Sequence, residues 1–206
     1  MAFSTQIREA TAAHHRHAEA SPLISRFLRR EVKLHEYKGM QARLYPVYQT
    51  MEAQLLQHRE HPLVRPFIMP ELWRTAPLAT DLAFLYGPDW AGHIEPTAVT
   101  RVYLERIRWV GDNEPGMLLA HVYTRYLGDL SGGQVLKRIV REALAFQGNQ
   151  GTQFYEFDQI DDVKVFKETF RRRMDDLRLE ADQALQIIDE SKHVFDLNRA
   201  LFDEIG

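Results

Sequence analysis

The sequence predicts an all-α fold in a single domain spanning residues 1–206, and three observations predict it. Apolar residues recur at three- and four-residue spacing along most of the chain. Glycine and proline fall mainly between such segments, and β-branched alternation is scarce. The length of 206 residues is ordinary for one compact domain, and 45% hydrophobic residues are enough to fill a core. No internal repeat, low-complexity tract or long linker divides it.

The elements follow in order. A first helix is expected from about Ser4, a residue type that caps helices, to near Ala20, where Ser21-Pro22 stops it. Tyr37, Met40, Leu44, Val47, Met51 and Leu55 form a second apolar stripe at helical period. The prolines at 62, 66, 70, 77 and 88 cut the next stretch into short pieces. Another helix follows Pro96. Asp112-Asn113-Glu114-Pro115 reads as the cap and first turn of a long helix reaching about Phe146. Gly148 to Gly151 is a loop, and Asp161 or Asp162 starts a helix with Phe166, Phe170, Met174 and Leu177 on one face. A last helix covers roughly Ala181 to Phe202.

Composition excludes several classes of function. A net charge of −3 offers no general attraction for nucleic acid or an anionic membrane. With no cysteine, disulfides, thiolate metal sites, a cysteine nucleophile and covalent c-type heme attachment are all out of reach. The same lack suits a reducing compartment, and the cytoplasm is the expected location. Met1 to Thr11 lack the apolar run of a signal peptide, and the last residues carry no hydrophobic tail. No stretch approaches the roughly 18 to 20 apolar residues that cross a bilayer.

The oddest segment is Gly128-Asp129-Leu130-Ser131-Gly132-Gly133-Gln134, inside a region otherwise rich in helix formers. Each glycine inside a helix costs about 1 kcal/mol relative to alanine, so three of them call for a reason. Gly128 and Gly132, four apart, would share a helical face without Cβ atoms. Such a face admits a large flat ligand, a tight helix crossing or a kink, and spacing does not choose among them. Leu130 to Gln134 also spells LSGGQ, the signature of ABC-type ATPases. That motif needs a Walker A loop and an α/β nucleotide-binding domain, and the sequence contains neither.

The first helix holds three histidines, His14, His15 and His17. On a helical wheel His14 falls with Ile7, Thr11 and Ala18, so periodicity alone picks His14. His15 lies instead with Arg8 and with Glu19, four residues on. A carboxylate at that distance can fix the tautomer of an imidazole ligand. Surface histidines with structural hydrogen bonds remain the plain alternative. His58 and His61 have no carboxylate at helical spacing. Glu190-x-x-His193 is a single pair, whereas a di-iron bundle needs two such pairs and two further glutamates. Lys164, Lys167 and Arg171 recur beside the Phe166 and Phe170 face, which suits an apolar ring carrying carboxylates or simply a solvated basic face.

The string from Ala120 to Lys137, AHVYTRYLGDLSGGQVLK, resembles the distal helix of heme oxygenases over its whole length. Further matches come in the family's order: Thr11-x-x-x-His15-x-x-Ala18-Glu19, Gly87-Pro88-x-Trp90, Lys167-x-x-x-Arg171-x-Arg173-Met174 and Asn198-x-x-x-Phe202. The resemblance implies a helical bundle that holds heme between a proximal N-terminal helix and a kinked, glycine-rich distal helix. It implies heme b as both cofactor and substrate, opened at the α-meso carbon to biliverdin, carbon monoxide and ferrous iron. O₂ and reducing equivalents from a separate ferredoxin, flavodoxin or reductase would be consumed.

Residue by residue, the same resemblance makes His15 the proximal iron ligand and Glu19 its orienting partner. Arg8, Tyr123, Lys167 and Arg171 become the propionate contacts; relatives often have lysine where this chain has Arg8. Gly128 and Gly132 become the close backbone approach to the porphyrin. Asp129 becomes the holder of a proton-delivering water, with Arg125 and Tyr48 in its network, and His121 a polar group of the helix packing rather than a ligand. Arg172 and Arg173 are either solvated or part of a dock for an acidic electron donor. A monomer with neither nucleic acid nor a membrane segment is expected. Two other classes fit the fold: a heme storage or sensor protein, which would not need Asp129, and a non-heme enzyme. The thiamin-degrading relatives of this fold use a cysteine, which this chain lacks.

Overall fold

The computed structural model describes residues 1–205, and among them nine α-helices and several short 3-10 turns make up an all-α domain without strands. Helix α1 (Phe3–Glu19) buries Phe3, Ile7, Thr11 and Ala18, and packs on α8 and α9. Its N-cap is Ala2, not Ser4. Ser4 instead gives its backbone N–H and hydroxyl to the Asp175 carboxylate, at 2.8 and 3.0 Å, tying α1 to α8.

Ser21-Pro22, read as a stop, also starts a helix. Ser21 Oγ accepts the Ile24 N–H at 3.2 Å, Pro22 occupies the first turn, and α2 (Pro22–Leu28) buries Leu23, Ile24 and Phe27. Helix α3 (Leu34–Gln57) carries the expected stripe, all six residues of which are buried.

The proline-rich stretch holds more helix than expected. Short 3-10 turns at Arg65–Phe67 and Pro70–Leu72 precede a three-turn helix, α4 (Thr75–Tyr86). Pro77 sits in its first turn, where a missing N–H breaks no intrahelical bond. The helix ends at Gly87, whose φ of 95° turns the chain toward Trp90, packed edge-on against Tyr45 at 4.8 Å.

Helix α5 (Ala98–Asn113) follows Pro96 with Thr97 as its cap. The cap expected at Asp112–Pro115 is the end of α5 followed by a 3-10 turn, Pro115–Met117. The single long helix expected next is two helices. Helix α6 (Leu118–Asp129) stops at Leu130, Ser131 takes φ −119° and ψ −87°, and α7 (Gly132–Leu144) starts afresh. Gly128 and Gly132 therefore stand on either side of a break instead of sharing one helical face.

After the Gly148–Gly151 loop come a 3-10 turn (Gln153–Tyr155), α8 (Val163–Asp175) and α9 (Ala181–Asp203). Asp162 caps α8 by accepting from the N–H groups of Lys164 and Val165. Helix α6 is the axis of the fold and packs against α3, α5, α7 and α9. It buries residues nearly all round, including His121, Arg125 and Asp129, so its polar groups must find partners inside the protein.

Candidate functional site

The break between α6 and α7 opens onto a cavity of about 470 Å³, within the usual range for a cofactor-sized ligand. Its walls come from α1, α3, the α6–α7 break, the turn Gln153–Tyr155 and α9, with Arg171 of α8 also contributing. Most of the lining is apolar, so the few polar groups that reach it define its chemistry.

Of the three histidines on α1, only His15 lines the cavity. Its side chain is 51% exposed, its Nδ1 lies 3.3 Å from Glu19 Oε2, and its ring packs edge-on against Phe195 at 5.5 Å. Holding Nδ1 in this way leaves Nε2 as the nitrogen for a ligand bond. His14 turns to α9, with Nδ1 3.0 Å from Asp196 Oδ1. The helical wheel correctly placed His14 beside the buried stripe. That stripe is packed on α9, however, and a ligand residue has to stand off it.

Facing the ligand space are Gly128 and Gly132. A Cβ added to either would meet no protein atom within 4 Å, so it would project into the cavity itself. Gly133 differs: a Cβ there would stand 3.3 Å from the Tyr155 ring, so this glycine lets the turn carrying Tyr155 approach α7.

Behind Gly128 lies a closed polar network. The Tyr48 hydroxyl donates to Asp129 Oδ2 and accepts from Arg125 Nε at 3.0 Å, while Arg125 Nη1 donates to Asn198 Oδ1. Arg125 Nη2 stands 4.0 Å from Asp129 Oδ1. Burial raises the Asp129 carboxyl above its ordinary value, against the opposing pull of Arg125 and the Tyr48 hydrogen bond. Burial likewise pushes the Tyr48 phenol well up. It also works against the Arg125 charge, but Tyr48 and Asp129 outweigh it and keep the guanidinium protonated. A carboxylate held this way can bind a water and exchange a proton at the cavity edge. Asn198 had no assigned role in the sequence beyond the Asn198-x-x-x-Phe202 spacing, and both residues line the cavity.

Arg8, Tyr123 and Arg171 line the basic side. Burial raises the Tyr123 phenol, and Thr11, Arg171 and Arg8 oppose it. Lys167, expected beside them, is not among the lining residues; its Nζ donates at 3.2 Å to Oγ of Ser131, which is. The aromatic wall expected from Phe166 and Phe170 lies elsewhere. Phe170 is buried against Phe67 with ring centroids 5.2 Å apart, and neither residue reaches the cavity. Phe154, Tyr155, Phe195 and Phe202 supply the aromatic lining instead. Those residues sit in a 3-10 turn and on α9, segments where spacing alone carried no sign of a ligand face.

The remaining polar residues resolve into structural roles. Glu190 does not pair with His193. Its carboxylate takes a fork of hydrogen bonds from Arg106 and lies 3.1 Å from Nε2 of the fully buried His121. Burial opposes ionisation of Glu190, but His121 and Arg106 together draw its carboxyl down to about 2. Arg173 Nη1 donates to the Pro66 carbonyl at 2.9 Å, so this arginine is not simply solvated. Among the described residues no three His, Cys, Asp or Glu side chains gather in a way that would hold a bare metal ion.

Comparison with known proteins gives a consistent result. A family model described as heme oxygenase matches residues 1–204. The heme oxygenase of Porphyra purpurea is 41% identical over 204 residues, covering 99% of this chain and 86% of the relative. Heme oxygenase 1 of Synechocystis is 40% identical over 203 residues, covering 98% and 84%. Among solved structures, heme oxygenase-1 from the cyanobacterium Synechocystis, in complex with heme, superposes with a TM-score of 0.96 at 39% identity. It covers 99% of this chain and 92% of that one. The heme oxygenase of Leptospira interrogans gives a TM-score of 0.96 at 37% identity, covering 99% and 100%.

Proposed function

The chain belongs to the heme oxygenase family, and we propose how its own residues perform the family's reaction, oxidative cleavage of heme to biliverdin, carbon monoxide and ferrous iron. One observation carries the reading. One cavity is lined both by an exposed imidazole, steadied by a carboxylate, and by two glycines with open space where their side chains would be. Heme fits this donor set: one nitrogen for the iron, a Cβ-free strip for the flat ring and a basic edge for two propionates. When bound, it supplies both the iron that activates O₂ and the porphyrin that is opened.

His15 Nε2 would take the iron, while Glu19 holds the opposite ring nitrogen and so keeps the imidazole in one tautomer and orientation. Arg8, Tyr123 and Arg171, joined by Lys167 through its contact with Ser131, would hold the propionates and set the ring's rotation in its plane. Gly128 and Gly132 bring backbone, not side chains, to the distal face. Among the described residues no histidine but His15 lines the cavity, so none stands there to promote peroxidase-type chemistry. Asp129 instead holds a water at the cavity edge and passes a proton through it. Tyr48 and Arg125 keep that carboxylate in place. Phe154, Tyr155 and Phe195 exclude bulk water from the rest of the wall. The α-meso carbon is the edge attacked in this reading.

The same proposal takes residues 1–206 as one heme oxygenase domain, acting as a monomer in the cytoplasm and served by a ferredoxin, flavodoxin or reductase. The absence of cysteine suits a reducing compartment. No described helix is long and apolar enough to cross a membrane. A heme carrier would have no use for three buried polar side chains held around Asp129, and that network favours turnover over storage.

Titration with hemin, followed by addition of ferredoxin, its reductase and NADPH, tests the reading. A histidine-ligated Soret band should form and then decay as biliverdin absorbance rises. A stable Soret band under reducing, aerobic conditions would make the protein a heme carrier, and no Soret band would remove heme altogether.

A further inference from the structure

One wall of the cavity is a short turn held by buried polar side chains. Phe154 and Tyr155, in the 3-10 turn Gln153–Tyr155, both line the cavity. The Phe154 ring packs edge-on against Tyr48 at 5.4 Å, and the Tyr155 ring lies against Gly133. Gln134 Nε2 donates to the carbonyls of both Tyr155, at 2.9 Å, and Asp129, at 3.4 Å. The turn therefore abuts the distal network on two sides.

Its backbone is held by the α4 segment, which offers a carboxyl acceptor to its N–H groups and a guanidinium donor to its carbonyls. The fully buried Asp81 accepts from the N–H groups of Gln153 and Phe154, one on each oxygen, both at 2.8 Å. Arg74, just before α4 and 5% exposed, donates through Nη1 to the carbonyls of Phe154 and Glu156. Arg74 is itself braced: its N–H donates to Glu52 Oε1 at 2.6 Å, and its guanidinium lies over the Phe157 ring at 4.0 Å. At the outer end Glu156 takes Lys137 and Arg141, each at 2.6 Å. Surface turns satisfy their polar groups with water at little cost, whereas burying a carboxyl group and a guanidinium is expensive unless both are fully hydrogen-bonded. Such an arrangement is warranted where side chains must be placed to within roughly half an ångström.

We propose that Asp81 and Arg74 are positioning residues that fix the Phe154–Tyr155 wall, and that this wall selects which porphyrin edge meets the distal network. The inference rests on the reading that heme occupies the cavity. Propionate contacts on α1, α6 and α8 hold the ring from one side, and the wall limits how far it can turn on the other.

Biliverdin isomer analysis after turnover of the hemin-loaded protein tests this. Wild type should give one isomer. Asp81→Asn keeps the shape but turns an amide NH₂ toward one of the two N–H groups. Its product should divide between isomers, with hemin bound about tenfold more weakly, the loss expected for one charged hydrogen-bond partner. The histidine-ligated Soret band should persist. Glu156→Gln, at the half-buried outer end, should fold and give a smaller admixture; it decides the matter if Asp81→Asn does not fold. Arg106→Ala removes a charged pair that touches no cavity residue, so it should be less stable yet keep one isomer.

A single isomer in both Asp81→Asn and Glu156→Gln overturns the proposal, as does an equal mixture in Arg106→Ala. Failure of wild type to bind hemin would sink the functional reading and this inference with it, and no variant is needed to see that.

Discussion

The Tyr48 hydroxyl donates to the Asp129 carboxylate, joining the middle of α3 to the last residue of α6 across 81 positions of sequence. Arg125, one turn before Asp129, holds the same hydroxyl from the other side. Asp129 is thus oriented by the Tyr48 hydroxyl, with Arg125 Nη2 paired to it only at 4.0 Å.

Asp129→Ala and Asp129→Asn should bind hemin through His15 as wild type does, because nothing on the proximal side changes. Both should lose about 10²- to 10⁴-fold in biliverdin formation, the range for removing a proton-transfer group. With peroxide they should turn to peroxidase-like oxidation of added donors. Single-turnover absorbance checks this, and wild-type rates in both would take Asp129 out of the reaction. Tyr48→Phe, which leaves Asp129 in place but loosens it, should fall between.

His15→Ala should lose the histidine-ligated heme spectrum, and added imidazole should restore part of it. His14→Ala should keep the spectrum and lose only its contact with Asp196, an exposed pair worth roughly 0 to 1 kcal/mol of stability. Resonance Raman of the iron–histidine stretch would show the choice to be wrong if the two variants behaved in reverse.

Gly128→Ala should separate folding from binding. The added Cβ meets no protein atom, and alanine favours helix over glycine by about 1 kcal/mol, so the heme-free protein should melt at the same temperature or higher. Hemin affinity should nevertheless fall, because the methyl occupies ligand space. Thermal melts beside hemin titrations test the pair; unchanged affinity would mean the ring does not lie against this strip.

Lys167→Ala combined with Arg171→Ala should weaken hemin binding and divide the biliverdin product between isomers. Arg171 is exposed and Lys167 half-buried, so solvent screens both charges and roughly tenfold is expected rather than complete loss. One isomer at unchanged affinity would return the two residues to the solvated surface.

Acid stability should depend on Glu190. Its carboxyl lies at about 2 in the fold against an ordinary 4.5, so the folded protein binds this proton less tightly than the unfolded chain. The stabilisation is fully present above about 4.5 and is lost as pH falls toward about 2. Glu190→Gln should be less stable at neutral pH and should lack that part of the acid slope. Denaturant melts between pH 5 and pH 2 measure it, and parallel curves for both proteins would refute the assignment.

Much of the fold was legible locally. The α3 stripe, the α5 start after Pro96, the Asp162 cap and the span of α9 are near-neighbour properties, set by side chains three or four residues apart. Ser4 and Ser21 show where local reading falls short. Ser21 does cap a helix, whereas Ser4, a residue of the same type, spends its hydroxyl on Asp175 instead. Only the arrival of α8 beside α1 distinguishes the two. The α6–α7 break was concealed similarly, because glycine permits either a continuous helix or a kink.

The sequence by itself determined the helical class, the order of the family's motifs and the set of groups available for chemistry: an imidazole with a carboxylate four residues on, a glycine-rich strip and an aspartate beside it. Periodicity and composition are short-range, and they carry that much. Periodicity favoured His14 and the family motif His15; tertiary structure decided between them, sending His14 to α9 and His15 to the cavity. It also decided that Phe154 and Tyr155, not Phe166 and Phe170, form the aromatic wall, and that Asn198 joins Tyr48 and Arg125, which the resemblance had named, in the network around Asp129. Each of those outcomes depends on side chains from helices distant in sequence competing for one buried space, where every polar group must find its partner and the apolar rings fill what remains.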